Sequence, residues 1–219
     1  MLADSGLVSP KRATLIRGAG VNPNVFASRP EPEGAPVVIL AARMLWDKGI
    51  GEFVEAARWL REQGIAARFV LVGDSDPGNP AAVLVARLDE WRRSGVVEWW
   101  GHREDMPEVF AQSNIVVLPS YREGLPKVLL EAASCGRAIV ATDVPGCREI
   151  VRHNENGLLV PPRDSKSLAD ALKILIENPE LRRKMGARGR EIVEAEFSEE
   201  IVVRQTMEVY KEIIRRLRR

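Results

Sequence analysis

The sequence has few cysteines, no long apolar run and no recognisable leader. Its 219 residues include two cysteines, Cys135 and Cys147, which are too few for a disulfide framework. Crossing a bilayer takes about 20 apolar residues, whereas apolar runs such as residues 115–118 have the length of a strand. The N-terminus has neither the basic start nor the apolar core of a secretory signal. These absences predict a cytoplasmic protein with reduced thiols and no membrane span.

An excess of charge of either sign is also missing. The 32 Lys and Arg residues nearly balance the 31 Asp and Glu residues, which leaves a net charge of +1. A balanced protein lacks the field that attracts nucleic acid, so we expect no nucleic acid partner. Any anion site must therefore depend on local geometry.

From residue 37 the chain alternates short apolar segments with longer amphipathic ones, a pattern typical of βαβ units and a parallel sheet. Continuous apolar runs such as residues 69–72 suit strands that helices cover on both faces. We therefore predict an α/β fold, a single doubly wound, Rossmann-like domain with a parallel sheet and a helical C-terminus. The predicted strands are 37–42, 68–73, 96–100, 114–119, 138–142 and 157–160.

Helical spacing of apolar residues predicts crossover helices at 51–63 and 80–94. After the last strand the chain becomes mainly helical. Ser165 is expected to cap a helix, Pro179 to open the next one and Ser198 to cap the last one.

The first 36 residues differ from the rest, because they contain five of the 14 prolines. They predict a short helix, a strand near residues 14–16 and an irregular linker. This divides the chain into residues 1–36, the end of a preceding domain with its linker, and residues 37–219, the main domain.

Two cations follow the first predicted strand. Arg43 and Lys48 lie in the loop that ends at Gly49. An open parallel sheet binds its ligands at the carboxyl ends of its strands. Arg offers a planar fork and Lys a point charge, which together suit a diphosphate. The alternative is that each cation pairs with Asp47 or with a surface carboxylate.

Two glutamates eight positions apart follow the fourth predicted strand. A helix that begins near Pro126 would direct free backbone N–H groups to the strand ends, and such a helix end favours anions. Glu131 lies among apolar residues in this helix, where a carboxylate needs partners such as ligand hydroxyls. The alternatives are an ion pair of Glu131 with Arg43 or Arg148, and a solvated or capping role for Glu123.

Several further segments accompany these residues along the chain. The full set is Arg43 with Lys48-Gly49, Val72-Gly73-Asp74, Gly101-His102-Arg103, Glu123-Gly124-Leu125-Pro126 with Glu131, residues 136–146 and residues 155–160. Together these segments resemble the C-terminal domain of the family 4 glycosyltransferases, which have the GT-B fold, and the resemblance covers residues 14–217 in order and spacing. It implies a retaining enzyme that transfers a hexose or N-acetylhexosamine from a nucleotide sugar, most commonly UDP-linked, to a glycan or lipid-linked acceptor of bacterial surface polysaccharide or lipopolysaccharide.

The resemblance implies a catalytic set of three residues. Arg43 and Lys48 would neutralise the donor diphosphate and stabilise it as it leaves, and Glu123 would hydrogen-bond hydroxyls of the transferred sugar. Negative charge grows on a departing nucleoside diphosphate, and fixed cations stabilise that charge without reorganising.

The resemblance also implies a donor-binding set. Backbone N–H groups at the helix N-terminus would bind the phosphates, and Glu131 would accept from the ribose hydroxyls. His102 and Arg103 would frame the nucleobase, with Arg103 stacking on it. The residues assigned to binding are Gly124, Leu125, Pro126, Lys127, Val128, Glu131, His102 and Arg103.

No metal and no further cofactor is expected for this chemistry. Asp74 and Asp76 form one short acidic pair in a turn-rich loop, and His102 and His153 lie far apart in the sequence. The alternative is that the acidic pair forms an Asp-x-Asp site for a metal and a nucleotide.

The expected partners are a nucleotide-sugar donor and an acceptor domain. In the family the acceptor binds mainly to a preceding domain, of which residues 1–36 resemble the last segment. We expect that domain to act in cis or in trans, and this chain alone to bind donor weakly with little or no transfer. Peripheral contact of residues 215–219 with the inner face of the membrane is a further hypothesis.

Two other functions share this architecture. The chain could be a sugar-nucleotide epimerase, which needs acid and base residues from two domains, or a non-catalytic module that binds nucleotide sugars. A dinucleotide-binding domain is disfavoured, because no Gly-x-Gly-x-x-Gly follows the first predicted strand.

Overall fold

Six strands form one sheet in the computed structural model, which describes residues 13–217. Every neighbouring pair of strands is parallel. The strands are β1 (Val37–Ala41), β2 (Arg68–Val72), β3 (Glu98–Trp99), β4 (Ile115–Leu118), β5 (Ala138–Thr142) and β6 (Gly157–Val160).

Helices connect the strands and follow the last one. They are α1 (Ile50–Glu62), α2 (Val85–Arg93), α3 (Met106–Ala111), α4 (Lys127–Ser134), α5 (Pro145–Arg148), α6 (Ser165–Glu177), α7 (Pro179–Glu196) and α8 (Glu199–Leu217). Within residues 13–217, none of these helices combines the length and apolar content needed to cross a bilayer.

The sheet is buried on both faces, because helices cover both sides of it. All five residues of β1 are buried. Val38 and Leu40 pack into a cluster with Phe53 of α1, whereas Ile39 faces the other side, together with Val109 of α3. A fully buried apolar side chain contributes about 1.5–3 kcal/mol, so both layers stabilise the sheet. The predicted doubly wound architecture is confirmed.

The strand order places a ligand crevice between two particular strands. The order is β3-β2-β1-β4-β5-β6. The chain builds outward from β1 in one direction and then, starting at β4, in the other. The connections that leave β1 and β4 therefore diverge, and doubly wound folds bind ligands in the crevice outside the carboxyl ends of such strands.

One predicted crossover helix begins later than expected. The helix predicted at 80–94 begins at Val85. The preceding residues instead pair with the loop after β1, where Ala82 bridges Leu45 and the Val83 N–H donates to the Met44 carbonyl at 2.8 Å. A tertiary backbone contact therefore overrides the helical spacing of these apolar residues.

The predicted helix starts after β6 are mostly right. Asp164 rather than Ser165 caps α6, since its Oδ1 atom accepts from the Ser167 N–H at 2.9 Å. Pro179 opens α7, as predicted. Ser198 lies directly before α8, and its backbone carbonyl accepts from Ile201 at 3.0 Å.

The strand predicted near residues 14–16 is wrong, because residues 13–17 contain no strand. The short helix predicted before it lies outside the described residues. Residues 21–32 pack against the main domain: Arg190 donates to the Phe26 carbonyl at 2.8 Å, and Arg182 pairs with Glu31 at 2.7 Å. The division at residue 36 stays a prediction.

Both cysteines are free and buried. Burial raises the pKa of the Cys135 thiol to about 11 and that of the Cys147 thiol to about 12. At neutral pH both are protonated thiols of low reactivity.

Candidate functional site

The loops after β1 and β4 contact each other through their backbones. Gly49 has φ 74°, and a Cβ atom there would lie 2.2 Å from the Pro119 carbonyl oxygen. The Tyr121 N–H donates to the Asp47 carbonyl at 2.9 Å. Only glycine permits the positive φ of residue 49 together with so close an approach to Pro119. The loop that carries Arg43 and Lys48 is therefore fixed against the loop that carries Glu123.

Lys48 and Glu123 form an ion pair at the junction of these loops. Their Nζ and Oε1 atoms are 2.6 Å apart, and the side chains are 22% and 12% exposed. The alternative pairing of Lys48 with Asp47 is wrong. The structure thus brings together two members of the predicted catalytic set.

The backbone at Glu123 and Gly124 is also held from the side of α5. A Cβ atom at Gly146 would lie 2.3 Å from the Gly124 carbonyl oxygen and 2.5 Å from that of Glu123. This close contact explains why a glycine stands in the first turn of α5. Three loops, after β1, β4 and β5, therefore converge at one point.

A cleft of about 460 Å³ opens beside these loops, over the ends of β1 and β2. Its walls include five of the predicted catalytic and donor-binding residues. They are Arg43, His102, Arg103, Val128 and Glu131. The other predicted site residues, Lys48 and residues 123–127, do not line this cleft.

Glu131 is the carboxylate of the cleft that lies among apolar residues. Its side chain is 12% exposed, and its Oε1 atom lies 3.5 Å from the Lys127 Nζ atom. Burial raises the pKa of Glu131, while Lys127 lowers it in part. The alternative partners proved wrong for the described residues, since Arg43 pairs with Asp76 and Arg148 with Asp143.

The N-terminus of α4 faces the same region. Pro126 precedes the helix, and within residues 13–217 no side chain caps this end. The first-turn N–H groups of Lys127 and Val128 therefore form a terminus that favours anions. Pro126 itself has no N–H group. Of the predicted backbone donors at residues 125–128, only Leu125, Lys127 and Val128 therefore have an N–H group to donate.

The predicted nucleobase residues lie at the opposite wall. The His102 N–H donates to Asp74 Oδ1 at 3.0 Å. Arg103 pairs with Asp105 at 2.5 Å and lies with its guanidinium 5.9 Å from the Trp100 ring centroid. The Arg103 side chain is therefore held by a carboxylate at the rim of the cleft.

The acidic pair that could have bound a metal is engaged elsewhere. Asp74 accepts from His102, and Asp76 Oδ2 lies 3.1 Å from Arg43 Nη1. Among residues 13–217, no group of three or more His, Cys, Asp or Glu side chains is arranged to hold a metal ion.

Sequence reasoning missed several residues around this region. Met106 and Ser75 line the cleft. Tyr121 donates its hydroxyl to Glu52 at 2.7 Å, and the Arg163 guanidinium lies 4.5 Å from the Tyr121 ring centroid. Burial and Glu52 raise the pKa of Tyr121 to about 12. Tyr121, Glu52 and Arg163 are far apart in the sequence, so no local sequence pattern indicated these contacts.

The family model for group 1 glycosyl transferases matches residues 21–192. A Campylobacter jejuni relative, N,N'-diacetylbacillosaminyl-diphospho-undecaprenol alpha-1,3-N-acetylgalactosaminyltransferase, is 35% identical over 180 residues, which are 82% of this chain and 46% of the relative. The chain thus spans about half the length of the curated relatives it matches.

Solved structures show the same fold. HepE from Anabaena in complex with UDP has a TM-score of 0.77 at 23% identity, over 88% of this chain and 56% of that one. The C-terminal domain of a group 1 glycosyl transferase from Francisella tularensis has a TM-score of 0.69 at 26% identity, over 82% of this chain and 99% of that one.

Proposed function

The chain belongs to the group 1 glycosyltransferases, and on this premise we propose that it is the donor-binding half of a retaining enzyme. We propose that this enzyme transfers a hexose or N-acetylhexosamine from a UDP-linked donor. The observation that carries the proposal is that Arg43 and Val128, in the first turn of α4, line one cleft at the carboxyl ends of the strands, with Lys48 on the same loop as Arg43.

The donor diphosphate is assigned to these cations and to the helix end. Arg43 and Lys48 lie on one loop, and Val128 in the first turn of α4 lines the same cleft as Arg43. As the glycosidic bond breaks, negative charge grows on the leaving diphosphate. Lys48 is fixed by Glu123 and can stabilise that charge without rearrangement of the loop.

The nucleoside is assigned to the cleft itself. A volume of about 460 Å³ suits a ligand of this size. Glu131 would accept from the ribose hydroxyls at one wall, and His102 and Arg103 would frame the base at the other. The UDP complex of HepE supports the choice of base.

The transferred sugar is assigned to the side of the cleft at Glu123. The carboxylate of Glu123 shares its charge with Lys48 and can still accept from sugar hydroxyls. We propose that the reaction uses no metal and no further cofactor, since the two cations and the helix end supply the positive charge that the leaving group needs.

The acceptor is assigned to a second domain that covers part of α8. The helix presents exposed apolar side chains at helical spacing: Val203, Met207, Tyr210 and Ile214 are 48–59% exposed. Apolar stripes of this kind mark contact surfaces. Because the relatives are about twice as long as this chain, we propose that their additional domain packs here and binds the acceptor.

We propose a glycan or lipid-linked acceptor of surface polysaccharide biosynthesis, in a cytoplasmic enzyme. The undecaprenol-linked substrate in the name of the Campylobacter jejuni relative supports a lipid-linked acceptor. The basic last turn of α8, with Arg215 and Arg216, would then contact the inner face of the membrane.

The test is a thermal-shift and calorimetric screen of UDP, GDP and their sugar conjugates. We expect UDP and UDP-sugars to raise the melting temperature of the wild type, and Glu131→Ala to abolish the rise. Glu177→Ala, at the exposed end of α6, is the control and should retain it. If neither nucleotide stabilises the wild type, or if Glu131→Ala binds as well as the control, the donor site is assigned wrongly.

A further inference from the structure

Arg43, which the proposed function assigns to the donor phosphates, already has an anionic partner within the protein. Its Nη1 atom lies 3.1 Å from Asp76 Oδ2. Both side chains line the cleft of about 460 Å³. The cleft therefore contains a carboxylate that binds the same cation as the donor.

Hydrogen bonds within the loop hold the backbone at Asp76 without the help of Arg43. The Asp76 carbonyl accepts from the Asn79 N–H at 2.8 Å, and Asn79 Oδ1 accepts from the Ala81 N–H at 2.9 Å. In front of Asp76, the Ser75 hydroxyl donates to the Val83 carbonyl at 2.7 Å. These bonds close a turn around Asp76, so its backbone stays at the cleft when Arg43 moves.

The same turn is joined to the loop that carries the cations. The Met44 N–H donates to the Asp74 carbonyl at 3.0 Å, and the Trp46 N–H donates to the Ala81 carbonyl at 2.8 Å. The two loops therefore form one unit, and the distance between the backbone at Asp76 and the backbone at Arg43 is fixed. What remains free to change is the direction of the two side chains.

Arg43 is the more exposed member of the pair. Its side chain is 64% exposed, whereas that of Asp76 is 37% exposed. An exposed pair of this kind is weak, because water screens its charges. A diphosphate carries more charge than one carboxylate and offers several oxygens to the guanidinium fork, so it can take Arg43 from Asp76.

We propose that Arg43 exchanges partners, from Asp76 to the donor diphosphate, and that Asp76 thereby limits the affinity of the site for the nucleotide. This inference rests on the proposed function. Asp76 opposes binding twice, because its bond to Arg43 must be broken and because its charge then lies near the phosphates. When the nucleoside diphosphate leaves after transfer, Asp76 recovers Arg43, which favours release of the product.

The test measures the dissociation constants of UDP and GDP by calorimetry for the wild type and for Asp76→Asn. This substitution keeps the size of the side chain and removes its charge. We expect about three- to tenfold tighter binding of the diphosphate, a gain that decreases as salt rises. Uridine and guanosine, which have no phosphate, should bind equally to both proteins.

Two further variants identify the cause of the change. Asp89→Asn removes the same charge on α2, where Asp89 pairs with Arg92 at 2.8 Å, and should leave the affinity within twofold of the wild type. In the Arg43→Ala background no bond to Asp76 has to be broken, so the gain from Asp76→Asn should fall to about twofold or less, which is the part due to repulsion between Asp76 and the phosphates.

The outcomes separate this inference from the function on which it rests. If UDP or GDP binds the wild type and Asp76→Asn leaves its affinity unchanged or weakens it, the exchange of partners is wrong and the donor site stands. The same holds if the full gain persists in the Arg43→Ala background. If neither diphosphate binds any variant, the proposed donor site is wrong and the inference falls with it.

Discussion

The candidate site contains two ion pairs that differ in burial. Lys48 and Glu123 form the inner pair, and Arg43 and Asp76 form the outer pair. Lys48 and Glu123 are 22% and 12% exposed and lie 2.6 Å apart, whereas Arg43 and Asp76 are 64% and 37% exposed and lie 3.1 Å apart. A charge left alone in a buried place costs stability, while an exposed one is solvated by water. The inner pair therefore supports the fold, and the outer pair is free to change partners.

Of the substitutions that test this comparison, Lys48→Ala is expected to change the free energy of unfolding most. It leaves the Glu123 carboxylate with little solvent and without its cation, and we expect the free energy of unfolding to fall by about 2 kcal/mol. Urea denaturation at neutral pH measures it. Adding Glu123→Gln to Lys48→Ala should restore at least half of the loss, because the isolated charge is then gone. No loss in the single variant would show that the inner pair is as weak as the outer one.

The fold could be predicted from the sequence because its signals are local. Runs such as residues 69–72 and 115–118 are apolar throughout, and both lie in buried strands of a sheet that helices cover on each face. Because β1 and β4 are neighbours in the sheet, the loops that follow them lie side by side. The sequence was misleading where a tertiary contact prevailed, as at residues 80–84, which pair with the loop after β1 instead of forming a helical turn.

The pairing of charges could not be predicted in the same way. Lys48 could be matched to Asp47 by proximity in sequence, but the backbone of Asp47 is used to hold Tyr121 and the side chain of Lys48 reaches Glu123, 75 positions away. The partner of Arg43 lies 33 positions away. Arg43, Lys48 and Glu123 do lie in the loops that follow β1 and β4, but which charges pair with one another depends on how these loops cross in space.

The pair formed by Lys127 and Glu131 lies between the other two pairs in burial. Its stability as a function of pH shows how much burial of one charge costs. Glu131 is 12% exposed and Lys127 is 69% exposed, so only the carboxylate is desolvated. Burial raises the pKa of Glu131 above its usual 4.5. An acid with a raised pKa in the folded state stabilises the fold fully below its unfolded pKa, and this contribution is lost as the pH rises through the folded pKa.

We therefore expect Glu131→Gln to be as stable as the wild type near pH 4 and more stable by up to about 1 kcal/mol at pH 7. Urea denaturation across this range measures the difference. The same variant should bind UDP more weakly, since an amide accepts poorly from two ribose hydroxyls. A variant that loses stability at pH 7 would show that the ion pair with Lys127 outweighs burial.

The smallest effect is expected from Arg43→Ala, the counterpart of Lys48→Ala in the outer pair. Asp76 remains in solvent and is held by its turn, so the free energy of unfolding should change by at most about 0.5 kcal/mol. Denaturation in low and in 1 M salt measures this, and the small difference should vanish in high salt, because salt screens exposed charges. The affinity for UDP should nevertheless fall, since a phosphate cation is gone. A loss of stability that equals that of Lys48→Ala and persists in salt would mean that Arg43 is part of the fold and cannot exchange its partner.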